Sequence, residues 1–255
     1  MQELPVHSGK KQDHFSALLR RRDLWLAEAA KNPRTAVKPL QALTIECVTE
    51  TLLLTGVSVS REEVSQVAAS GGESSEHSGT ILGQFHALRA IKDAAGANPS
   101  LTQSLVCEVN RLSSPPSGGQ FRQGPGRAQF ADSTPAPASL VGGRIGNLIE
   151  WLAASSGQSL HLPAKAALAF IRLLEISPFE SGNFRTAHLL LNFFAFAEKF
   201  PPFFLRAKDS DVLRLDVERG LGFDTLPLAT RLAGAQTESL SFCLEALADR
   251  ETRET

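Results

Sequence analysis

The chain has no tyrosine, no methionine beyond Met1 and only two tryptophans in 255 residues. Nothing in the sequence supplies a physical reason for the first two absences. Cysteine is scarce as well. Cys47, Cys107 and Cys243 lie far apart and without metal-like spacing, which excludes a disulfide framework and reads as small buried hydrophobes in a reducing compartment. An excess of charge of either sign is also missing: 26 basic and 27 acidic residues leave a net charge of -1, so no polyanion-binding surface is indicated. The triplet Arg20-Arg21-Arg22 has no second basic cluster to support it and reads as the solvated face of a helix. Nucleic acid is therefore not an expected partner. Long apolar runs are absent, each being broken by Glu, Lys, Asn or Arg, and residues 1–15 lack the apolar segment of a secretory signal. The expectation is a soluble cytoplasmic protein without a membrane partner. No internal repeat is visible.

What is present is a 42% hydrophobic composition, enough for one large or two small domains. Residues 1–11 read as a disordered start and 250–255 as a frayed tail. Between them, apolar residues recur mostly at helical spacing. Helices are expected over 14–31, 39–55, a short stretch after Ser60-Arg61-Glu62-Glu63, 80–95 and from Ser100 onward, the last carrying Leu101, Leu105, Val109 and Leu112. The capping-box form of residues 60–63 and the glycines at 56 and 96 mark starts and stops. Helices resume at Pro137. The run 164–176 is apolar on most sides, as is the helix running through Leu191 to Phe200, so these two belong at the centre of a bundle. Further helices are expected over 209–219 and 226–249.

Residues 113–138 break the helical habit with Pro115, Pro116, Pro125, Pro135 and Pro137 and a polar–aromatic alternation. Gly119-Gln120-Phe121-Arg122 and Gly126-Arg127-Ala128-Gln129-Phe130 flank Gln123-Gly124-Pro125-Gly126, a pattern that predicts a small hairpin.

The chain is organised around Ser177-Pro178-Phe179-Glu180-Ser181-Gly182-Asn183-Phe184-Arg185-Thr186-Ala187-His188, the loop joining the two most apolar helices. Gly182 and Asn183 tolerate backbone shapes that most residues avoid, and Asn183 suits a helix start. A glycine turn at a helix N-terminus directs free N–H groups outward and makes an anion site, to which Arg185 could add a two-pronged grip. Taken alone, the same residues also describe a plain helix–loop–helix corner with a capping Asn and a solvated Arg.

This loop resembles the signature of the Fic (Fido) family, His-Pro-Phe-x-(Asp/Glu)-Gly-Asn-Gly-Arg-x-x-Arg. Pro178, Phe179, Gly182, Asn183 and Arg185 match. Ser177 stands where the family has its catalytic His, Ser181 at its acidic metal ligand, Phe184 at a Gly and His188 at its second Arg. The segment Gly119-Gln120-Phe121-Arg122 resembles the start of the family's hairpin flap, in the family's order along the chain. The resemblance implies an all-α bundle with a β-hairpin flap at 117–131, an N-terminal helical region at 12–99 and a Fido-like core at 100–249 with the motif loop at 177–188. It also implies AMP transfer from ATP to a protein hydroxyl, with Mg²⁺ bridging the phosphates.

Carried over position by position, Gly182, Asn183, Phe184 and Arg185 would bind phosphate, and Phe121 and Arg122 would clamp a target peptide by strand addition. In many members a preceding helix carries an inhibitory Glu. Glu46 occupies the corresponding place, although Ala42 and Cys47 depart from that pattern. The base and the acidic ligand are missing, since Ser177 has negligible basicity and Ser181 is at most a neutral ligand. The expectation is therefore a degenerate member, with ATP and Mg²⁺ as ligands and a protein as partner. Two alternatives remain. One is an active nucleotidyl or phosphoryl transferase using a displaced base, His188 or Glu180. The other is a helical module that only binds protein.

Overall fold

The computed structural model describes residues 9–72, 75–98, 100–115, 118–127 and 134–251, and among them every regular element is helical. Eleven α-helices follow in order: α1 (Gly9–Lys31), α2 (Pro33–Leu54), α3 (Arg61–Ser70), α4 (Ser78–Ala97), α5 (Gln103–Ser113), α6 (Val141–Ala153), α7 (Ser155–Gln158), α8 (Leu162–Ile176), α9 (Asn183–Ala197), α10 (Ser210–Leu221) and α11 (Leu226–Glu251). No helix among the described residues is long and apolar enough to cross a membrane.

Local chemistry sets several boundaries. Ser60 accepts a hydrogen bond from the Glu63 amide at the start of α3, and Gly71 closes that helix in the left-handed conformation. Pro33 opens α2, where its missing N–H would have had no partner. That helix therefore begins six residues earlier than the sequence suggests, and Pro39 is carried inside it. Thr102 rather than Ser100 caps α5, accepting from the Leu105 amide. Gly96 lies within α4, which runs on to Ala97. The expected disordered start lies outside the described residues except for 9–11, which belong to α1, and most of the expected frayed tail lies outside them too.

Helices α8 and α9 occupy the centre. α8 packs on α6, α9, α10 and α11, while α9 packs on α2, α4, α5 and α8. With helices on several sides, α9 buries Leu189, Leu190 and Leu191 in succession, each at most 1% exposed. Burial of each such side chain contributes about 2 kcal/mol, so three consecutive leucines that would be costly on a surface helix stabilise this one. The core is one cluster running through α2 and α4 as well as through the helices after residue 100.

Residues 118–127 form turns and irregular chain with no strand among them, and 128–133 lie outside the described residues. The hairpin expected there is not shown: its first piece, 119–122, carries no strand, and most of its second lies outside the described residues. The described part is held by the Asn110 and Arg122 side chains and by one backbone bond, from the Arg122 amide to the Pro178 carbonyl.

Candidate phosphate site at the α8–α9 turn

The turn between α8 and α9 is built by four local devices. Ser177 ends α8 in the left-handed conformation (φ 46°), with its amide bonded to the Leu173 carbonyl and its hydroxyl donating 2.8 Å to the Leu174 carbonyl. Gly182 precedes α9 with φ 75°. A β-carbon there would collide with the Ser114 hydroxyl, so the position needs glycine both for its backbone angle and for room. Asn183 is buried and folds back. Its Oδ1 accepts from the Phe179 amide and its Nδ2 donates to the Phe179 carbonyl, each at 2.8 Å. Finally, Asn110 of α5 donates from Nδ2 to the Ser181 carbonyl at 3.1 Å and to the Thr186 hydroxyl at 3.0 Å.

The first backbone bond of α9 runs from the Thr186 amide to the Gly182 carbonyl. Among the described residues, the amides from Glu180 to Arg185 have no hydrogen-bond acceptor. They sit at the positive end of a 15-residue helix. Glu180 and Ser181 are exposed, so this rim faces solvent. The Ser114 hydroxyl, buried against Gly182, has no partner among the described residues.

The side chains singled out in the sequence are placed as follows. Arg185 reaches away from the rim, donating from Nη1 to the Ser113 carbonyl at 2.8 Å and from Nη2 to the Thr55 hydroxyl at 3.2 Å. It is half-buried, which lowers its pKa from the ordinary arginine value. Phe184 packs edge-on to Phe170 and lies parallel to the His188 ring.

His188 is fully buried. Its Nε2 accepts from the Leu205 amide at 3.1 Å, which leaves the proton on Nδ1, facing the Thr51 hydroxyl at 2.8 Å. Thr51 in turn donates to the Cys47 carbonyl. Burial pushes the imidazole down to about 4, so it is neutral at pH 7 with both nitrogens occupied.

Phe121 rests 5.7 Å from Phe179, ring centre to ring centre. Arg122 is 2% exposed and completes the end of α8. Its Nε donates to the Ser177 carbonyl at 2.7 Å, its Nη2 to the carbonyls of Ile176 and Ala136, and its Nη1 to that of Gly124 at 2.8 Å. Its amide donates to the Pro178 carbonyl at 2.9 Å. An arginine aimed at the open carbonyls of a helix end is a favourable arrangement.

Glu46 is not brought to the turn. It pairs with Arg61, one helical step from Cys47, and Cys47 faces Asn192 two turns along α9 from Arg185. That is about 10 Å of helix.

The donor set does not make a self-standing Mg²⁺ site. Among the described residues no three of His, Cys, Asp and Glu converge, and the turn offers one exposed carboxylate, Glu180, beside the neutral Ser181.

Two residues that the sequence did not single out organise the site. Asn110 joins α5 to the turn, and Asn192 accepts from the Phe203 amide (2.9 Å) and donates to its carbonyl (3.0 Å). The available signal was a lone amide among apolar helical residues, Leu105-Val106-Val109-Asn110 in one case and Leu189-Leu190-Leu191-Asn192 in the other.

The backbone as a whole superposes on solved Fic structures. A Fic domain containing signaling protein from Bacteroides thetaiotaomicron aligns with TM-score 0.82 at 18% identity, covering 92% of this chain and 97% of that one. Fic-1 from C. elegans aligns with TM-score 0.80 at 20% identity, covering 92% and 72%. The helical bundle is therefore a Fic-type fold. Residues 100–195 match the model of the Fic/DOC family. Curated relatives include the protein adenylyltransferase Fic of Nematostella vectensis, 28% identical over 158 residues, covering 60% of this chain and 36% of that protein. The protein of the same name from Drosophila virilis is 27% identical over 192 residues, covering 72% and 38%. The chain thus spans less than two-fifths of the length of these relatives.

Proposed function

We propose that this chain binds a nucleotide through its phosphates at the N-terminus of α9 and no longer transfers AMP. The support is a division within the turn. The backbone amides from Glu180 to Arg185 have no acceptor among the described residues, while the groups that would perform proton transfer are engaged elsewhere. A general base needs a free lone pair within reach of the hydroxyl it activates. Ser177 donates its hydroxyl into α8, and the His188 lone pair is taken by the Leu205 amide. Gly182 and Asn183 shape the phosphate cradle, Phe184 covers its inner side, and Arg185 braces it from beneath against the ends of α2 and α5. Mg²⁺ would arrive on the nucleotide's own phosphates.

The family resemblance and the relatives' name, protein adenylyltransferase, make a protein the expected partner, taken by the segment 117–131 as a hairpin flap. In this chain such a clamp would rely on Phe121 and backbone groups, because Arg122 is spent on capping α8.

Calorimetry and thermal unfolding with ATP–Mg²⁺, against adenosine as control, test the reading. At ligand near 100 times Kd, ATP should stabilise by about 2.7 kcal/mol, a rise in Tm of roughly 5–10 °C, with no change from adenosine. Absence of any shift at millimolar ATP would reject nucleotide binding. AMP transfer onto any protein by the purified chain would reject lost catalysis.

A second reading is an active transferase with Glu180 as displaced base, favoured by that carboxylate's exposure on the rim. It predicts turnover that Glu180→Ala abolishes without unfolding.

A further inference from the structure

We propose that Asn110 is a positioning residue that couples segment 118–127 to the phosphate-binding turn, so that the shape of one sets the anion affinity of the other. The inference deepens the phosphate-binding reading above and rests on it.

Asn110 is completely buried, and its amide serves both segments at once. Its Oδ1 accepts from the Gly119 amide at 2.8 Å. Its Nδ2 donates to the Ser181 carbonyl and to the Thr186 hydroxyl. The backbone partners fix the orientation of the amide, since Gly119 can only donate and the Ser181 carbonyl can only accept. A displacement of Gly119 therefore pulls on the peptide unit that carries the open amides.

A second link runs parallel to the first, from the Arg122 amide to the Pro178 carbonyl and from the Arg122 guanidinium to the Ser177 carbonyl. Both ends of the turn are thus tied to one short piece of chain. The fit is close on each side. Gly118 has no room for a β-carbon against the Asn110 and Ser114 carbonyls, and Gly182 has none against Ser114. Close packing with fully used hydrogen bonds moves as a unit rather than yielding gradually. Binding free energies linked in this way are reciprocal: whatever orders segment 118–127 strengthens anion binding at the turn, and an anion at the turn orders the segment.

Amide hydrogen exchange by NMR on the full chain, without nucleotide, tests the coupling directly. Gly119→Ala meets both a positive φ of 98° and the Arg111 side chain, so it shifts the segment without touching the turn. Exchange at the Phe179 and Thr186 amides, both bonded within the turn, should rise about fivefold or more, while α11 stays unchanged. Thr186→Val should in turn raise exchange at the Gly119 amide. In an Asn110→Leu background, Gly119→Ala should add nothing at Thr186, whose hydroxyl is tied to the segment through Asn110 and not through Arg122; Asn110→Asp, which keeps the acceptor and loses the donors, serves if that variant does not fold. An asparagine that merely fills space would loosen the whole molecule, or would leave the effect of Gly119→Ala intact in its absence, and either result overturns the proposal.

The ligand arm is calorimetry with ATP–Mg²⁺. Gly119→Ala should weaken binding about fivefold or more. If the wild-type chain binds no ATP, the phosphate-binding reading fails while the exchange arms still decide the role of Asn110. If it binds and Gly119→Ala binds equally well, the coupling fails alone.

Discussion

The Nδ1 of His188 and the hydroxyl of Thr51 meet at 2.8 Å inside the interface between α9 and α2. They form the middle rung of a polar ladder, with Arg185 on Thr55 at one end and Asn192 beside Cys47 at the other. Rungs spaced four residues apart on α2 and three to four on α9 keep one face of each helix in register. The chain from Phe203 to Ala207, where a 3-10 turn begins, is held on α9 and α2: the amides of Phe203, Leu205 and Ala207 donate to Asn192, His188 and Glu50. Three side chains of the two helices thus satisfy three amides of a segment that has no neighbouring strand among the described residues.

The ladder makes stability depend on pH in a defined direction. The unfolded His188 titrates at the ordinary 6.5 and the folded one at about 4. Between those values the unfolded chain binds more protons, so stability rises with pH there, is full above 6.5 and is lost as pH falls towards 4. The contribution is roughly 3 kcal/mol. Urea unfolding of wild type and His188→Gln from pH 4 to 7 should show a slope in the difference between them; parallel curves would mean the imidazole is solvated.

Arg122→Met should be strongly destabilising, by about 3 kcal/mol, because it keeps the stem and strands buried carbonyl groups at the end of α8. Arg122→Lys should recover only part of this, since an ammonium cannot fork between the carbonyls of Ser177 and Gly124. Denaturant midpoints for the two variants measure both effects.

Asn183→Ala removes both bonds that fold the turn onto Phe179, at a cost of about 2 kcal/mol. Asn183→Asp keeps the acceptor for the Phe179 amide and should cost less. The opposite order would mean that a buried carboxylate set against the Phe179 carbonyl costs more than the loss of both bonds.

Placing an imidazole at position 177 should not by itself create a transferase. Ser177 is 1% exposed, in a left-handed conformation, with its hydroxyl on the Leu174 carbonyl. Ser177→His loses that bond and overfills the site, so a destabilisation of about 1–3 kcal/mol is expected. Thermal unfolding alongside an AMP-transfer assay checks both parts.

Much of the architecture follows from patterns along the chain. Apolar spacing in 164–176 and 189–196 is enough to place two helices at the centre of a bundle, and Gly182-Asn183 is enough to place a turn between them. Those signals are local: they depend on helical periodicity and on the backbone freedom of one or two residues. Side-chain roles are different. Asn183 reads as a helix cap, yet its amide closes on Phe179. Arg185 reads as a phosphate grip, yet it braces the ends of α2 and α5. His188 reads as a candidate base, yet it is locked between Thr51 and Leu205. Arg122 reads as a flap residue, yet it caps α8.

In each case the sequence determined which group was available, and the tertiary structure decided which partner it met. Those partners lie up to 137 residues away in the chain. A polar side chain commits to whichever donor or acceptor burial leaves unsatisfied beside it, and that neighbour exists only once the helices have packed.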